Sequence, residues 1–147
     1  MVTATRSSTL TTTPTLRAGR WLWSDAAHGV EVRCLGRGPA GSREQVLALA
    51  EGKVLPVRWA KQVHGAEILQ VGAQPASNDG GRCGVGDGLI TEDAGVALAI
   101  ATADCVPVML TAGGTVAAAH AGWRGVVAGV VPNAIAALRA SAGEAAE

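Results

Sequence analysis

Apolar and polar positions alternate loosely over residues 21–37, where Val30, Val32 and Leu35 mark one or two strands. Ser42-Arg43-Glu44-Gln45 is a capping-box pattern ahead of Val46, Leu47 and Leu49, which predicts a short helix ending near Gly52. Val54 to Ala60 and Glu67 to Val71 read as strands flanking Lys61-Gln62-Val63-His64-Gly65. The Gly-, Pro-, Ser- and Asn-rich stretch from Gly72 to Gly86 reads as an exposed loop. Four short apolar runs follow (88–91, 96–102, 106–110 and 115–119), and the turn signals between them predict adjacent buried strands. Val127, Val131, Ile135 and Leu138 then recur at helical spacing, which predicts a helix over 125–140, bent at Pro132. The elements add up to an α/β (α+β) fold, a mixed β-sheet core layered with helices. Residues 1–20 are expected to be a flexible tail, since the first eighteen are rich in Ser and Thr with no apolar block. Residues 21–147 are expected to form a single domain, and the polar ending without a closing strand suggests an incomplete one.

Composition narrows the function. With 147 residues, 48% of them hydrophobic, the chain has enough apolar material for one core. Twelve Lys+Arg balance twelve Asp+Glu, which removes the electrostatic footprint of a nucleic-acid binder or a polybasic membrane anchor. Phe and Tyr are absent, so stacking platforms for single strands are not expected either. The most apolar stretch, Ala94 to Ala121, is interrupted by Asp104, Pro107 and Gly113-Gly114, too often for a membrane span. Three cysteines without paired spacing point to a reducing compartment, and the cytoplasm is the expected location.

Gly113-Gly114 between two apolar runs signals a two-residue hairpin turn. Pairing Ala112 with Thr115 then pairs Pro107 with His120, and Cys105 lies two residues before Pro107 on the same face. Cys105 and His120 become diagonal neighbours, close enough to share a metal ion or to act directly as a Cys–His pair. Asp104 lies in an apolar run, where a carboxylate needs a partner, and Arg124 is the expected one. The turn Ala121-Gly122-Trp123-Arg124-Gly125 suits close backbone approach to a ligand and an anion such as phosphate. Trp123 fits either core packing or the wall of a base pocket. Cys34 reads as core, Cys83 as a loop thiol, His28 as a surface turn residue and Asp87 as structural. The glycines between Gly80 and Gly88 do not match a dinucleotide-binding loop.

Four segments in order carry a resemblance: Lys61-Gln62-Val63-His64-Gly65, Asp87-Gly88-Leu89-Ile90-Thr91, Thr102-Ala103-Asp104-Cys105-Val106-Pro107-Val108, and Ala118-Ala119-His120-Ala121-Gly122-Trp123-Arg124-Gly125. Over roughly Trp59 to Leu138 the chain resembles the laccase-domain family, also labelled multicopper polyphenol oxidoreductase. Its members include proteins named peptidoglycan editing factors and purine nucleoside phosphorylases with adenosine deaminase activity. The resemblance implies a fold like the deamidase domain of cytotoxic necrotizing factor toxins, with the last part of the family's fold absent here. It implies one metal, usually zinc, on His64, Cys105 and His120. It also implies Cys105, His120 and Arg124 in catalysis, and Gln62, Asp104, Trp123 and Arg124 around a purine nucleoside and phosphate, with neither nucleic acid nor membrane as partner.

Two other functions compete. Copper-dependent polyphenol oxidation would use His64, Cys105 and His120 with Met109 as a conceivable axial ligand. Three histidines are too few for a blue-copper site plus a trinuclear cluster, which need about ten. A Cys–His hydrolase acting in peptidoglycan precursor editing would instead use Cys105 as a nucleophile, without metal.

Overall fold

The computed structural model describes residues 2–6, 15–17, 20–25, 30–35, 55–74 and 80–143. The helix expected over 42–52 lies outside them. Among the described residues, eleven strands and two helices follow in chain order: β1 (Val2–Arg6), β2 (Thr15–Arg17), β3 (Arg20–Asp25), β4 (Val30–Leu35), β5 (Val57–Lys61), β6 (Ile68–Gln70), β7 (Arg82–Val85), β8 (Gly88–Thr91), β9 (Ala97–Ile100), β10 (Val106–Ala112), β11 (Thr115–Ala121), α1 (Trp123–Ala128) and α2 (Val130–Ala142). The fold is mixed α/β, as the sequence pattern implies.

The strands form two sheets. A seven-stranded sheet runs β2-β3-β4-β1-β9-β5-β7, and a four-stranded sheet runs β10-β11-β8-β6. Most pairings are antiparallel, but β5 lies parallel to β9 and β7, and β6 parallel to β8. Val30, Val32, Ala60, Leu98 and Ile100 from the first sheet meet Leu89, Val116 and Ala118 from the second in one buried cluster. On the far face of the second sheet, Ala119, Ala121, Ile90 and Ala117 pack against Val130, Ala134 and Leu138 of α2. The result is three layers, with β11 buried along its whole length in the middle one.

Four expectations are revised. The stretch read as a tail supplies two strands, with β1 hydrogen-bonded between β4 and β9. Its Val-Thr-Ala-Thr run is short, but β-branched and backbone-paired on both sides. The loop expected over 72–86 contains β7, because a strand beside a parallel neighbour needs backbone partners more than a long apolar run. Strand β10 is only half-buried, being at the sheet edge, which is also where Pro107 does not break a ladder. Finally, the helix is interrupted at Gly129, not at Pro132. Gly129 has φ 93°, a left-handed conformation that glycine adopts without penalty, and it ends α1 and begins α2. Pro132 then falls in the first turn of α2, where its missing N–H has no intrahelical partner anyway. Asn133 N–H makes the bond to Gly129 O at 3.0 Å. The break re-phases the helix, so the buried stripe is Val130, Ala134 and Leu138, while Val127 is 83% exposed.

Among the described residues no helix is long and apolar enough to cross a membrane.

Candidate metal centre

The chain passes from the first sheet to the second three times, through residues 62–67, 86–87 and 101–105. Those three crossovers and the end of β11 converge on one site. The first carries His64, the second Asp87, the third Cys105, and β11 carries His120.

The hairpin register comes first. Gly113 and Gly114 both have positive φ (55° and 87°), as a tight hairpin turn with the twist of its strands requires. Ala112 pairs with Thr115 and Pro107 with His120. Cys105 precedes the strand and reaches the same end of the hairpin as His120. His64 arrives from the other side with φ 60°, an uncommon conformation for a residue with a side chain. One potential ligand atom from each of His64, Cys105 and His120 lies within 4.8 Å of the other two. Cys105 Sγ is 4.0 Å from His64 Nε2, and the two imidazole rings meet edge-on with centroids 4.8 Å apart.

Asp87 organises this group. Its side chain is fully buried, and it accepts N–H bonds from Val63 (3.0 Å) and Gly65 (2.7 Å) on Oδ2 and from His64 (2.9 Å) on Oδ1. Oδ1 also lies 2.8 Å from His120 Nδ1. Three backbone N–H groups aimed at one carboxyl hold the chain through His64 in its left-handed turn. Burial alone would raise the Asp87 carboxyl; the His120 bond and the three N–H groups outweigh it and hold the carboxyl below its ordinary range. An ionised carboxylate only accepts, so His120 donates from Nδ1, which in the neutral ring leaves Nε2 as the atom free to bind a metal. That is the arrangement by which a carboxylate orients a metal-binding histidine. Backbone adds a further tie, from His120 N–H to Asp87 O at 2.7 Å.

The donor set fits a metal. Two imidazoles and a thiol suit zinc or copper, and three protein ligands leave a coordination position open. Tetrahedral zinc would place such donors roughly 3.4–3.6 Å apart, so the group would close by up to about 1.4 Å. Gly122 makes room for it: a Cβ there would lie 2.9 Å from both Cys105 Sγ and His64 Cδ2. Burial pushes the Cys105 thiol up, and the Asp104 and Asp87 carboxylates push the same way.

Gln62 joins the backbone of Ala101 through both ends of its amide, donating from Nε2 to O (2.7 Å) and accepting from N–H on Oε1 (2.9 Å). Asp104 is exposed, accepts a long 3.9 Å contact from Cys105 Sγ, and makes no ion pair with Arg124 among the described residues. The bend at 103–105 turns it outward. Trp123 is 69% exposed, so it is not core; Arg124 stacks on it with Cζ 4.5 Å from the ring centroid. Met109 packs against the core between the sheets. Cys34 and Cys83 border that same core, and all three cysteines are free. Asp87, read from the sequence as structural, is the buried acid that ties the backbone at His64 to the His120 ring. Its signal is a lone acid between Gly86 and Gly88 at the head of a fully buried strand.

Comparison with known proteins adds to this geometry. Residues 40–147 match the family model described as multi-copper polyphenol oxidoreductase laccase. The chain is 48% identical over 84 residues to the purine nucleoside phosphorylase SCO2081 of Streptomyces coelicolor, covering 56% of this chain and 34% of that protein. It is 36% identical over 96 residues to the purine nucleoside phosphorylase YfiH of Escherichia coli, covering 64% and 37%. The chain thus spans about a third of the length of the curated relatives it matches. Among solved structures it is similar to the Neisseria meningitidis protein NMB0706, of the family model DUF152. That match has a TM-score of 0.53 and 38% identity, over 71% of this chain and 42% of that one.

Proposed function

Because this chain belongs to the multi-copper polyphenol oxidoreductase laccase family, we propose that it supplies the metal centre of a zinc-dependent purine nucleoside phosphorylase with adenosine deaminase activity. The observation that carries the reading is the Asp87–His120 pair beside His64 and Cys105. A buried carboxylate fixes the imidazole tautomer in a group of three donors with an open side. His64, Cys105 and His120 would hold the ion. A zinc ion in a three-ligand site supplies Lewis acidity at the open position.

The remaining steps belong to the chain's own residues. Phosphorolysis moves the anomeric carbon of the nucleoside from a purine nitrogen to a phosphate oxygen, with the electron pair of the broken bond leaving on the base. Arg124 offers the cation for phosphate, in the first turn of α1 directly after Gly122. Trp123, exposed and stacked with Arg124, offers a flat apolar wall for the base. Asp104, exposed beside Cys105, would meet a polar group of the substrate. The names of the Streptomyces and Escherichia relatives support this substrate class. The cytoplasm is the setting that the free cysteines suit.

The two competing functions have less support. Met109 packs into the core, where it serves packing, so an axial thioether for copper has no support. A metal-free Cys105 nucleophile needs a lowered thiol pKa, whereas its surroundings raise it.

The test is metal content and turnover in one preparation. Protein purified without chelators should carry about one zinc per chain and release purine base from nucleosides only when phosphate is present. Cys105→Ala and His120→Ala should lose zinc and turnover together, while Cys34→Ala and Cys83→Ala keep both. Wild-type protein without metal ends the proposal. Retention of zinc by Cys105→Ala with loss of an amide-hydrolysing activity would transfer the assignment to a cysteine hydrolase.

A further inference from the structure

We propose that Gln62 is a positioning residue that sets Cys105 against His64, and that it acts through backbone and not through substrate. The inference rests on the metal reading above. Cys105 closes the five-residue crossover 101–105, whose far end is held where Val106 pairs with Ala121, one residue beyond His120. Its near end is Ala101, and both polar groups of Ala101 are taken by the Gln62 amide, at 2.7 and 2.9 Å. Gln62 lies two residues before His64, in the crossover that Asp87 clamps by its Val63, His64 and Gly65 N–H groups. Asn133 Nδ2 fastens the same crossover to α2 by donating to Ala66 O at 3.0 Å. His64 and His120 are thus tied to Asp87 directly. Among the described residues Cys105 has no such clamp: its own side-chain contacts are 3.9–4.0 Å, and it sits in a bend. The Gln62–Ala101 pair is the link that joins the thiol-bearing crossover to the clamped one.

The amide is the group this job calls for. It donates and accepts at once, so it can pair with both the N–H and the C=O of one residue in the way a neighbouring strand would. Asn is one methylene shorter, and Glu has no proton to give at neutral pH.

Cobalt(II) serves as the probe, because thiolate ligation gives a charge-transfer absorption that imidazole ligation does not. Wild-type protein titrated with cobalt should show that absorption, and zinc should protect Cys105 from alkylation, followed by peptide mapping. Gln62→Leu should lose at least half of the charge-transfer intensity per bound cobalt, weaken binding about tenfold, and leave Cys105 open to alkylation in zinc. Gln62→Glu keeps the bond from Ala101 N–H, so it should fall between the two and covers the case in which Gln62→Leu does not fold. Gln70→Ala, an exposed change on β6, is the control. A purely structural Gln62 would lower the melting temperature but leave intensity per cobalt and zinc protection unchanged, and that result overturns the proposal while the metal centre stands. Absence of cobalt–thiolate absorption in wild type overturns both.

Discussion

Asp87→Asn tests the centre at its hinge. The substitution keeps shape and volume and replaces one acceptor oxygen by an NH2 group. If the amide oxygen takes the Oδ1 place, it keeps the His64 and His120 bonds, and the NH2 group faces the N–H groups of Val63 and Gly65. Two donors are then unmatched beside a site with no solvent exposure. At about 1–3 kcal/mol each, the loss is about 2–6 kcal/mol. If the amide flips, the NH2 group faces His120 Nδ1 and His64 N–H. His120 must then accept at Nδ1 and carry its proton on Nε2, where it can no longer bind a metal. Neither orientation satisfies both the turn and the tautomer. We expect the urea midpoint of the metal-free protein to fall with its slope unchanged, and zinc affinity in a chelator competition to drop at least tenfold. The acid side has a definite sign. The carboxyl is held low in the folded state, so its stabilisation is present above the unfolded pKa and is lost as pH falls through the folded one. Asp87→Asn should flatten that limb. A variant that unfolds within about 0.5 kcal/mol of wild type and binds zinc as tightly would refute the role given to Asp87.

Other expectations follow from single contacts. Gly122→Ala has an acceptable backbone conformation (φ −74°) but places a methyl 2.9 Å from two of the donors, so it should weaken metal binding more than it lowers stability. Equal metal affinity would show that Gly122 is there for another reason. Gly129→Ala should destabilise by about 1–2 kcal/mol in chemical denaturation, since φ 93° is unfavourable for alanine. Pro132→Ala should be neutral or destabilise by no more than about 1 kcal/mol. A gain in stability of about 3 kcal/mol would instead mark Pro132 as an interior helix breaker.

The hairpin was readable because Gly113-Gly114 sets its register, and a register of period two assigns every side chain in it to a face. The motifs named His64, Cys105 and His120 by resemblance, and the structure gathers them. What did not show in the sequence is the switching between sheets. Apolar runs report that a strand is buried, not which sheet it joins, so β8, β9 and β10 looked like neighbours although β9 lies in the other layer. Thr-rich β1 carries its pairing in its backbone, which composition hides. The rule that a buried carboxylate needs partners was sound, but Asp87 is the buried acid and Asp104 the exposed one. Local sequence separates them only by the glycines that flank Asp87, since an apolar run follows each acid.

The three crossovers have a consequence for how much of this protein a cell would hold. Donors on chain segments that bridge the two sheets make a bound ion a cross-link at the seam, and its binding free energy adds to the adhesion of one layer to the other. Free metal at a hundred times the dissociation constant would contribute about 2.7 kcal/mol to folding, and metal at the dissociation constant about 0.4. That difference changes the unfolded fraction by more than tenfold, and with it the share exposed to proteases. Steady-state abundance would then follow metal supply even at constant synthesis, and starved cells would clear the empty protein instead of accumulating it.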